Sequence, residues 1–503
     1  MNMPKISRAK LELLLLVGIA VILFYYASKA PLTAEDEAVY IDLARKIQQN
    51  HGLYPTWDYS SMNSKTGELG APKRTLPLLS YVLSPFSTLP MWKMVMAMFG
   101  ILTMVMIYFF AEKYVKKGTG IIASMTLFSV PLFVAYSLIA YTDIPIAFFS
   151  IASLYFFLGD GKKNSIISGV FLGLGMLTKF SILILPVALF FYAIHKGRFK
   201  SWAIMFLISM VLLMPWVARN YYFFGFGFYP VFDDIQLFLF GNPYPPQFGQ
   251  ELAGAQQSIS FLTLISYLGT SIIFLSILGS LYSYFEKKDI GFLSILIIMI
   301  FLITLYSGIA GFMDVRYFVV ILPELAILTV IGWNSLFENH KRLIAISIIG
   351  IILSSLIMGV TQAMGSSMLT RYTEEYVDAL GWVKQNTNKT DFLMTTFCGG
   401  AIFYSERDCV WPVKYMREVM TTQSDEEILD ILQKYNVKYI LVDGDYVSQS
   451  YVVQGSNIAG VYTFNFLNII GNSTKFKLVY RSTQQTMYQN GKILPFMSIY
   501  EVL

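Results

Sequence analysis

The chain is built from apolar runs that recur between residues 10 and 365, separated by short polar breaks. A transmembrane helix needs about 20 consecutive apolar residues. By this measure the pattern predicts about eleven spans, and therefore an α-helical polytopic membrane protein. The spans lie near residues 11–30, 91–111, 119–139, 144–159, 165–178, 180–194, 201–218, 261–284, 290–310, 317–336 and 342–365.

The region 165–194 leaves the span count open, because each of its halves is short for a span. Two crossings, one long span and a re-entrant pair are the alternatives. Lys and Arg favour cytoplasmic loops, and two crossings with an inner N-terminus leave the short basic clusters inside. These clusters are Lys5, Arg8 and Lys10; Lys113, Lys116 and Lys117; Lys162 and Lys163; Lys196, Arg198 and Lys200; Lys287 and Lys288; and Lys341 and Arg342. We therefore expect a multi-pass protein of the plasma membrane, with a cytoplasmic N-terminus and an external C-terminal part.

Composition agrees with a membrane location. Of the 503 residues, 55% are hydrophobic and 14% are charged, whereas soluble chains carry about 25% charged residues. The net charge is +5, and topology accounts for the basic clusters, so we expect no nucleic-acid partner. The first apolar run is predicted to be a span, with a signal peptide cleaved near Ala30 as the alternative. The run is long for a signal peptide.

Three longer polar stretches are expected on the outer face: loop 31–90, loop 219–260 and the segment 366–503. The predicted division is a transmembrane domain, 1–365, followed by a soluble domain. The soluble segment alternates helix and strand patterns and contains a Ser-x-x-Glu capping box that begins at Ser424. It therefore predicts a small external α/β domain.

Two features of the C-terminal segment fit an exterior location. Asn388 and Asn472 each begin an Asn-x-Thr glycosylation sequence. Cys398 and Cys409 are the two cysteines of the chain, and an oxidising exterior allows a disulfide between them. Sequence does not give the distance between two cysteines, so the pairing stays open at this stage.

The first polar stretch after the N-terminal span, 31–50, carries Asp36 and Glu37 at the start of a predicted amphipathic helix, 35–48. Helical spacing puts Asp36 on the face that carries the apolar residues, so we expect it near the buried side. The alternative is capping of the helix N-terminus, with Thr33 as the N-cap and the carboxylates favoured by the helix dipole.

Further charged residues fall at the same membrane face. Asp143 lies in a tight external turn, where an acid is costly unless it is solvated or paired. Lys73, Arg74, Lys179 and Arg316 are basic on the outer side, against the positive-inside trend. Helix capping for the acid, and snorkelling or pairing for the cations, are the alternatives. Together these groups suit transfer from a lipid phosphate, because an acid accepts a proton while cations hold the anionic leaving group.

Several segments resemble those of a known class of membrane enzymes. The stretch AEDEAVYIDLARKI looks like the Asp-Glu first external loop of protein O-mannosyltransferases and of bacterial aminoarabinose transferases acting on lipid A. PKRTLPLLSYVL is similar to the segment that follows in the latter, and YTDIPIAFFSIASLYFFL and RYFVVILPELAIL are similar to later landmarks. Over most of residues 10–365 the chain resembles the C-class (GT-C) polytopic glycosyltransferases.

The resemblance implies a sugar donor linked to polyprenyl or dolichyl phosphate. It implies that Asp36 activates the acceptor, that Asp143 is the second acidic landmark, that Lys73 contacts the donor phosphate and that Arg316 belongs to an Arg-Tyr landmark. The acid that precedes the lysine in relatives is absent from PKRTL, which puts a metal site in doubt. No cofactor is predicted with certainty, and a divalent cation, Mg or Mn, is left open.

The sequence thus predicts an inverting hexosyl- or pentosyltransferase that moves a sugar to a protein, lipid or glycan acceptor on the outer face. Asp36 is the predicted general base, with Asp143 and Glu37 as further catalytic candidates. The donor phosphate is expected to be held by Lys73, Arg74, Arg316 and Lys179.

The rival prediction is a transporter or lipid flippase that uses Asp143, Lys179 and Glu324 as pathway charges. Transporters often contain repeated halves, and the sequence shows no internal repeat. An inactive relative that serves as a receptor or assembly subunit is the third alternative. Glu324, near the start of its span, is expected to form a structural ion pair with Arg316 or Lys179.

Overall fold

The protein was studied as a computed structural model. It describes residues 8–33, 35–51, 76–228, 299, 315–337, 341–368, 372–395, 398–410, 424–443, 469–483, 485–487, 493–495 and 497–503. The predicted span 261–284, the predicted span 290–310 apart from residue 299, most of loop 219–260, and the middle of loop 31–90 lie outside the described residues.

The chain divides into two compact units. We call the first the membrane unit; it consists of Met1–Pro31, Leu76–Gly241 and Gln257–Leu369. We call the second the sheet unit; it consists of Leu32–Thr75, Asn242–Gln256 and Thr370–Leu503. Residues 32–75, which belong to the predicted loop 31–90, thus group with the C-terminal part of the chain.

The described helices follow each other in this order: α1 (Arg8–Lys29), α2 (Glu35–Gln49), α3 (Pro77–Leu83), α4 (Leu89–Phe110), α5 (Gly120–Phe128), α6 (Pro131–Tyr136), α7 (Asp143–Leu158), α8 (Lys162–Met176), α9 (Ile184–His195), α10 (Phe199–Phe224), α11 (Leu322–Phe337), α12 (Lys341–Met368), α13 (Glu374–Asn386), α14 (Cys398–Ser405) and α15 (Asp425–Lys434). A π-helical turn extends α4 to Val115, and 3-10 segments at Phe180–Leu183 and Val315–Ile321 lead into α9 and α11.

Within the described part, five helices are long and apolar enough to cross a membrane: Lys10–Lys29, Leu89–Val115, Phe199–Phe223, Arg316–Asn334 and Ile349–Met368. Two shorter apolar helices, Asp143–Leu158 and Phe180–His195, accompany them. The predicted class, a polytopic helical membrane protein with a C-terminal α/β domain, is confirmed. The number of eleven spans stays a prediction.

The predicted span 119–139 is wrong as a single helix. The structure divides it into α5 and α6, and Pro131 is the first residue of α6. Val130, which precedes the proline, is extended, with φ −78° and ψ 114°. Proline carries no N–H and disfavours helical backbone in the residue before it, so the helix ends and restarts here.

The region 165–194 forms two helices, α8 and α9, rather than one long span. Lys179 separates them in extended conformation, with φ −160° and ψ 132°. At a rise of about 1.5 Å per residue, the 15 residues of α8 span about 22 Å, which is less than the roughly 30 Å of a bilayer core.

Helix α7 packs against α4, α8 and the 3-10 segment Val315–Ile321 in the membrane unit. Most of its side chains are buried. Ser153 on α7 and Ser168 on α8 lie 3.0 Å apart between their hydroxyl oxygens. On the other side of α8, Gly169 and Gly173 face α10, where an added Cβ would meet helix α10 within 3 Å. Small residues therefore bring α7, α8 and α10 into close contact.

The sheet unit contains a five-stranded sheet in the order β2-β1-β3-β7-β4. Its strands are β1 (Phe392–Met394), β2 (Cys409–Val410), β3 (Val437–Asp443), β4 (Phe476–Arg481) and β7 (Met497–Val502); β5 (Gln485–Met487) and β6 (Ile493–Pro495) form a separate pair. Strand β1 runs parallel to β2 and β3, and β7 runs antiparallel to β3 and β4.

Helix α15 of the sheet unit begins where its predicted cap places it. The Ser424 hydroxyl accepts a hydrogen bond from the Glu427 backbone N–H at 3.2 Å, so the predicted N-cap of α15 is confirmed. Ile428 and Leu432 of this amphipathic helix are buried in the core against Ile440 of β3. The pattern of polar and apolar positions is thus sufficient to place α15 and its buried face.

Candidate active site

Asp143 and Lys179 form an ion pair in the membrane unit. Asp143 is the first residue of α7 and is buried, and its Oδ1 lies 2.7 Å from the Nζ of Lys179. The side chain of Lys179 keeps 22% of its surface exposed, whereas that of Asp143 keeps 2%. Lys179, which lies in the break between α8 and α9, therefore reaches the first residue of α7.

Two aromatic rings surround the cations of this region. The Nζ of Lys179 lies 5.3 Å from the ring centre of Tyr317, and the Cζ of Arg316 lies 5.8 Å from the same ring. Arg316 also lies 5.8 Å from the ring centre of Tyr141. Cations at this distance from an aromatic face are attracted by it.

The structure thus brings Asp143, Lys179 and Arg316 together in the membrane unit. Sequence reasoning did not single out Tyr141, and it included Tyr317 only as part of the Arg-Tyr landmark. Their positions directly next to the Thr142–Asp143 turn and to Arg316 were the signal that could have identified them.

Glu324 does not make the predicted ion pair. Its Oε1 accepts a hydrogen bond from the Ser150 hydroxyl at 3.2 Å, and among the described residues no ion pair to Arg316 or Lys179 is present. The carboxyl group is fully buried. The prediction searched for a cation, whereas the observed partner is a neutral hydroxyl on α7.

The acids of α2 divide between a buried and an exposed position. Glu37 is fully buried, and its Oε2 accepts a hydrogen bond from the Thr33 backbone N–H at 2.8 Å. The carboxylate thus binds a backbone N–H two residues before the first residue of α2. Asp36 is exposed, so the prediction that it lies near the buried side is wrong.

Helix α2 is anchored on α14 within the sheet unit. The Arg45 guanidinium donates a hydrogen bond to the Phe403 carbonyl at 3.2 Å and lies 4.5 Å from the centre of its ring. Lys46 contacts Asp42 at 2.8 Å and Asp408 at 3.8 Å. Sequence reasoning missed this anchor, although two adjacent basic residues in a helix predicted to be external run against the positive-inside trend.

Burial shifts the ionisation of groups at this anchor. Burial raises the pKa of Asp408 to about 6, with Lys46 acting in the opposite direction. Burial lowers the pKa of the Arg45 guanidinium, and burial together with the charge of Glu37 raises the pKa of Tyr404. Desolvation is the largest cause of each of these pKa shifts, and it accompanies the burial of these groups within the sheet unit.

The remaining predicted residues of the sheet unit lie as follows. Cys398 and Cys409 are joined by a disulfide, with their Cα atoms 5.4 Å apart. Asn388 and Asn472 are both exposed. The bridge therefore closes the short segment that contains α14, the helix on which α2 packs.

Two predicted phosphate ligands, Lys73 and Arg74, lie outside the described residues. Within the described ranges, no group of three or more His, Cys, Asp and Glu residues stands together in a way that could hold a metal ion.

Comparison with known proteins relates this geometry to a fold. A family model described as dolichyl-phosphate-mannose-protein mannosyltransferase matches residues 77–220, which include Asp143 and Lys179. A comparison with curated proteins finds no match.

Three solved structures share the fold at low sequence identity. AglB of Archaeoglobus fulgidus, solved with an inhibitory peptide and a dolichol-phosphate, is 14% identical with a TM-score of 0.66, over 97% of this chain and 74% of AglB. ArnT of Cupriavidus metallidurans, bound to undecaprenyl phosphate, is 13% identical with a TM-score of 0.62, over 98% of both chains. The arabinofuranosyltransferase AftD from Mycobacteria is 13% identical with a TM-score of 0.58, over 99% of this chain and 40% of AftD.

The resemblance that the sequence motifs indicated is thereby confirmed at the level of the fold. The family match and the three neighbours all belong to the same class of polytopic membrane glycosyltransferases. The chain has the GT-C fold.

Proposed function

We propose that the protein is a membrane glycosyltransferase that takes a sugar from a polyprenyl- or dolichyl-phosphate donor. The observation that carries the proposal is the cluster of Lys179, Asp143 and Arg316 in the membrane unit. Two neighbours with the same fold were solved with dolichol-phosphate and undecaprenyl phosphate. Cations beside aromatic rings are suited to hold a phosphate whose carrier is a lipid.

In this proposal Lys179 and Arg316 stabilise the phosphate as it leaves. The bond between the sugar C1 and the phosphate oxygen breaks, and the electron pair of that bond departs with the phosphate. Fixed cations that meet developing negative charge are among the largest contributions to catalysis. Asp143 holds the Lys179 ammonium in place through the ion pair of 2.7 Å. Lys73 and Arg74 are proposed as further phosphate ligands.

Asp36 is the proposed general base. The acceptor hydroxyl gives its proton to the carboxylate while its oxygen attacks the sugar C1 from the side opposite the phosphate, so that the configuration inverts. Exposure of Asp36 supports this role, because a general base has to reach its substrate. Glu37, by contrast, is buried and bonded to the Thr33 N–H, which supports a role in holding the first turn of α2.

The acceptor is proposed to be a protein, lipid or glycan on the outer face of the plasma membrane. This orientation follows from the basic inner loops of the sequence. The sugar is proposed to be a hexose or a pentose, and activity with a panel of different lipid-phosphate sugars identifies it.

The role of Asp36 is tested by turnover of the purified full-length protein in lipid. The substrates are radiolabelled polyprenyl-phosphate monosaccharides together with an acceptor fraction, and the readout is release of lipid phosphate. Asp36→Asn is expected to lower the rate about 10²- to 10⁴-fold. Asp430→Asn, the same change at an exposed acid of α15, is the matched control and is expected to keep full turnover. Full turnover by folded Asp36→Asn would exclude Asp36 as the base.

A further inference from the structure

The buried carboxyl group of Glu324 has no role in the transfer chemistry described so far. It lies in the first turn of α11 and is fully buried. Oε1 bonds to the Ser150 hydroxyl at 3.2 Å, and Oε2 is buried without a hydrogen-bond partner among the described residues. An ionisable side chain inside a membrane domain is costly, and an apolar residue of similar size would avoid this cost.

Ser150 and Glu324 lie on the segments that carry Asp143 and Arg316, two members of the cluster proposed to bind the donor phosphate. Ser150 is seven residues after Asp143 on α7, on the same side of the helix and about 10 Å along its axis. Glu324 follows Arg316 and Tyr317 on a continuous segment, because the 3-10 turn Val315–Ile321 leads directly into α11. The 3-10 segment and α11 both pack against α7.

We propose that Glu324 is a positioning residue, whose hydrogen bond to Ser150 ties α11 to α7 and thereby fixes Arg316 beside the Asp143–Lys179 pair. In an apolar environment two helices can slide past each other at small cost, because apolar contacts are not directional. A hydrogen bond between buried polar groups has a defined geometry and penalises such a shift. The inference rests on the proposed function, since it assigns the tie to the site that holds the donor phosphate.

The test measures equilibrium binding of undecaprenyl phosphate to the full-length protein in lipid, together with the thermal unfolding midpoint. Glu324→Leu removes the hydrogen bond and fills its space, and Ser150→Ala removes the donor alone. Each is expected to weaken binding about three- to tenfold, the equivalent of one lost hydrogen bond. The double variant is expected to bind no more weakly than either single variant, because both remove the same contact.

Two control variants distinguish this hydrogen bond from a general loss of buried polar groups and from an effect of charge. Ser153→Ala removes a buried hydroxyl from the same helix, but that hydroxyl contacts Ser168 on α8, so binding is expected to be unchanged. Glu324→Gln keeps an oxygen that can accept from Ser150 and is expected to bind like the wild type.

The outcomes are distinct. Normal binding by Ser150→Ala and by folded Glu324→Leu overturns the inference and leaves the proposed function standing. Equal damage by Glu324→Gln and Glu324→Leu also overturns it, because the charge would then be the active feature. Absence of binding by the wild type to both undecaprenyl phosphate and dolichyl phosphate overturns the proposed function itself. If Glu324→Leu fails to fold, Ser150→Ala against Ser153→Ala decides the question.

Discussion

Replacing Lys179 with methionine tests two roles of this lysine, stabilisation of the fold through its ion pair with Asp143 and binding of the donor phosphate. The carboxylate of Asp143 keeps 2% of its side-chain surface exposed, so removing its partner leaves a buried negative charge. Such a loss costs about 3 kcal/mol of unfolding free energy, the low end of the range for a buried pair. We use the low end because the partly exposed lysine side chain lets water approach.

The same change is expected to weaken binding of undecaprenyl phosphate about 10- to 100-fold, since a charge-assisted hydrogen bond to the phosphate is lost. Adding Asp143→Asn removes the stranded charge and is expected to restore most of the stability. It is not expected to restore binding, because the ammonium is still absent. Asp143→Asn alone is expected to weaken binding as well, because Lys179 then loses the ion pair that holds its ammonium in place.

Two measurements check these values: the thermal unfolding midpoint of the purified protein in lipid, and equilibrium binding of undecaprenyl phosphate. Lys163→Met, an exposed lysine of α8, is the matched control and is expected to change neither quantity. If Lys179→Met binds the lipid phosphate like the wild type, Lys179 is not a phosphate ligand. If the double variant regains binding, the lysine acts only by neutralising Asp143.

Three further changes test the described contacts. Gly169→Leu is expected to lower the unfolding free energy by about 1–3 kcal/mol, because a Cβ there would lie 2.5 Å from the Met205 carbonyl oxygen. Asp408→Asn is expected to remove a pH dependence: with its pKa raised to about 6, the folded protein holds a proton that the unfolded chain loses, so stability falls as pH rises from about 4 to 6. Joint replacement of Cys398 and Cys409 by serine is expected to lower the unfolding free energy by about 3 kcal/mol for a separation of 11 residues.

Each of these changes has a control in the same chain. Gly350→Ala places a Cβ where nothing lies within 4 Å and is expected to be neutral. For Asp408, the exposed acid Asp430 provides the comparison, and an unchanged pH profile of Asp408→Asn would refute the assignment. For the cysteines, equal unfolding midpoints of the wild type with and without reductant would show that the bridge adds no stability.

The sequence predicts local structure well where a single pattern decides it. The helix expected at 35–48 is observed at Glu35–Gln49, because its amphipathic spacing is regular. Leu43 and Ile47 of the predicted buried face are indeed buried, whereas Asp36 is exposed. The placement of Asp36 could not be predicted, since the partner of α2 is α14, more than 340 residues later in the chain. The missed break at Pro131 has a different cause. The proline itself signals the end of a helix, but the span was predicted from the length of the apolar run alone, which continues across the proline.

In the candidate site, too, local patterns are predicted from the sequence, whereas contacts between distant residues are not. Topology places Asp143, Lys179 and Arg316 at one membrane face from the sequence alone, and the structure brings them together around Tyr317. The partner of Glu324 could not be predicted, because charge matching points to a cation and cannot identify a neutral serine on another helix. Sequence patterns therefore indicate which face carries the polar groups, whereas the individual partners depend on how the helices pack.

The central claim is that the protein cleaves a lipid-phosphate sugar rather than moving the intact lipid across the membrane. The most direct test reconstitutes the wild type in vesicles with a labelled polyprenyl-phosphate monosaccharide and an acceptor fraction, and follows lipid phosphate and acceptor label together. The account predicts that both appear in equal amounts. Passage of the intact donor to the other leaflet, with no lipid phosphate released, would contradict it and establish the transporter prediction instead.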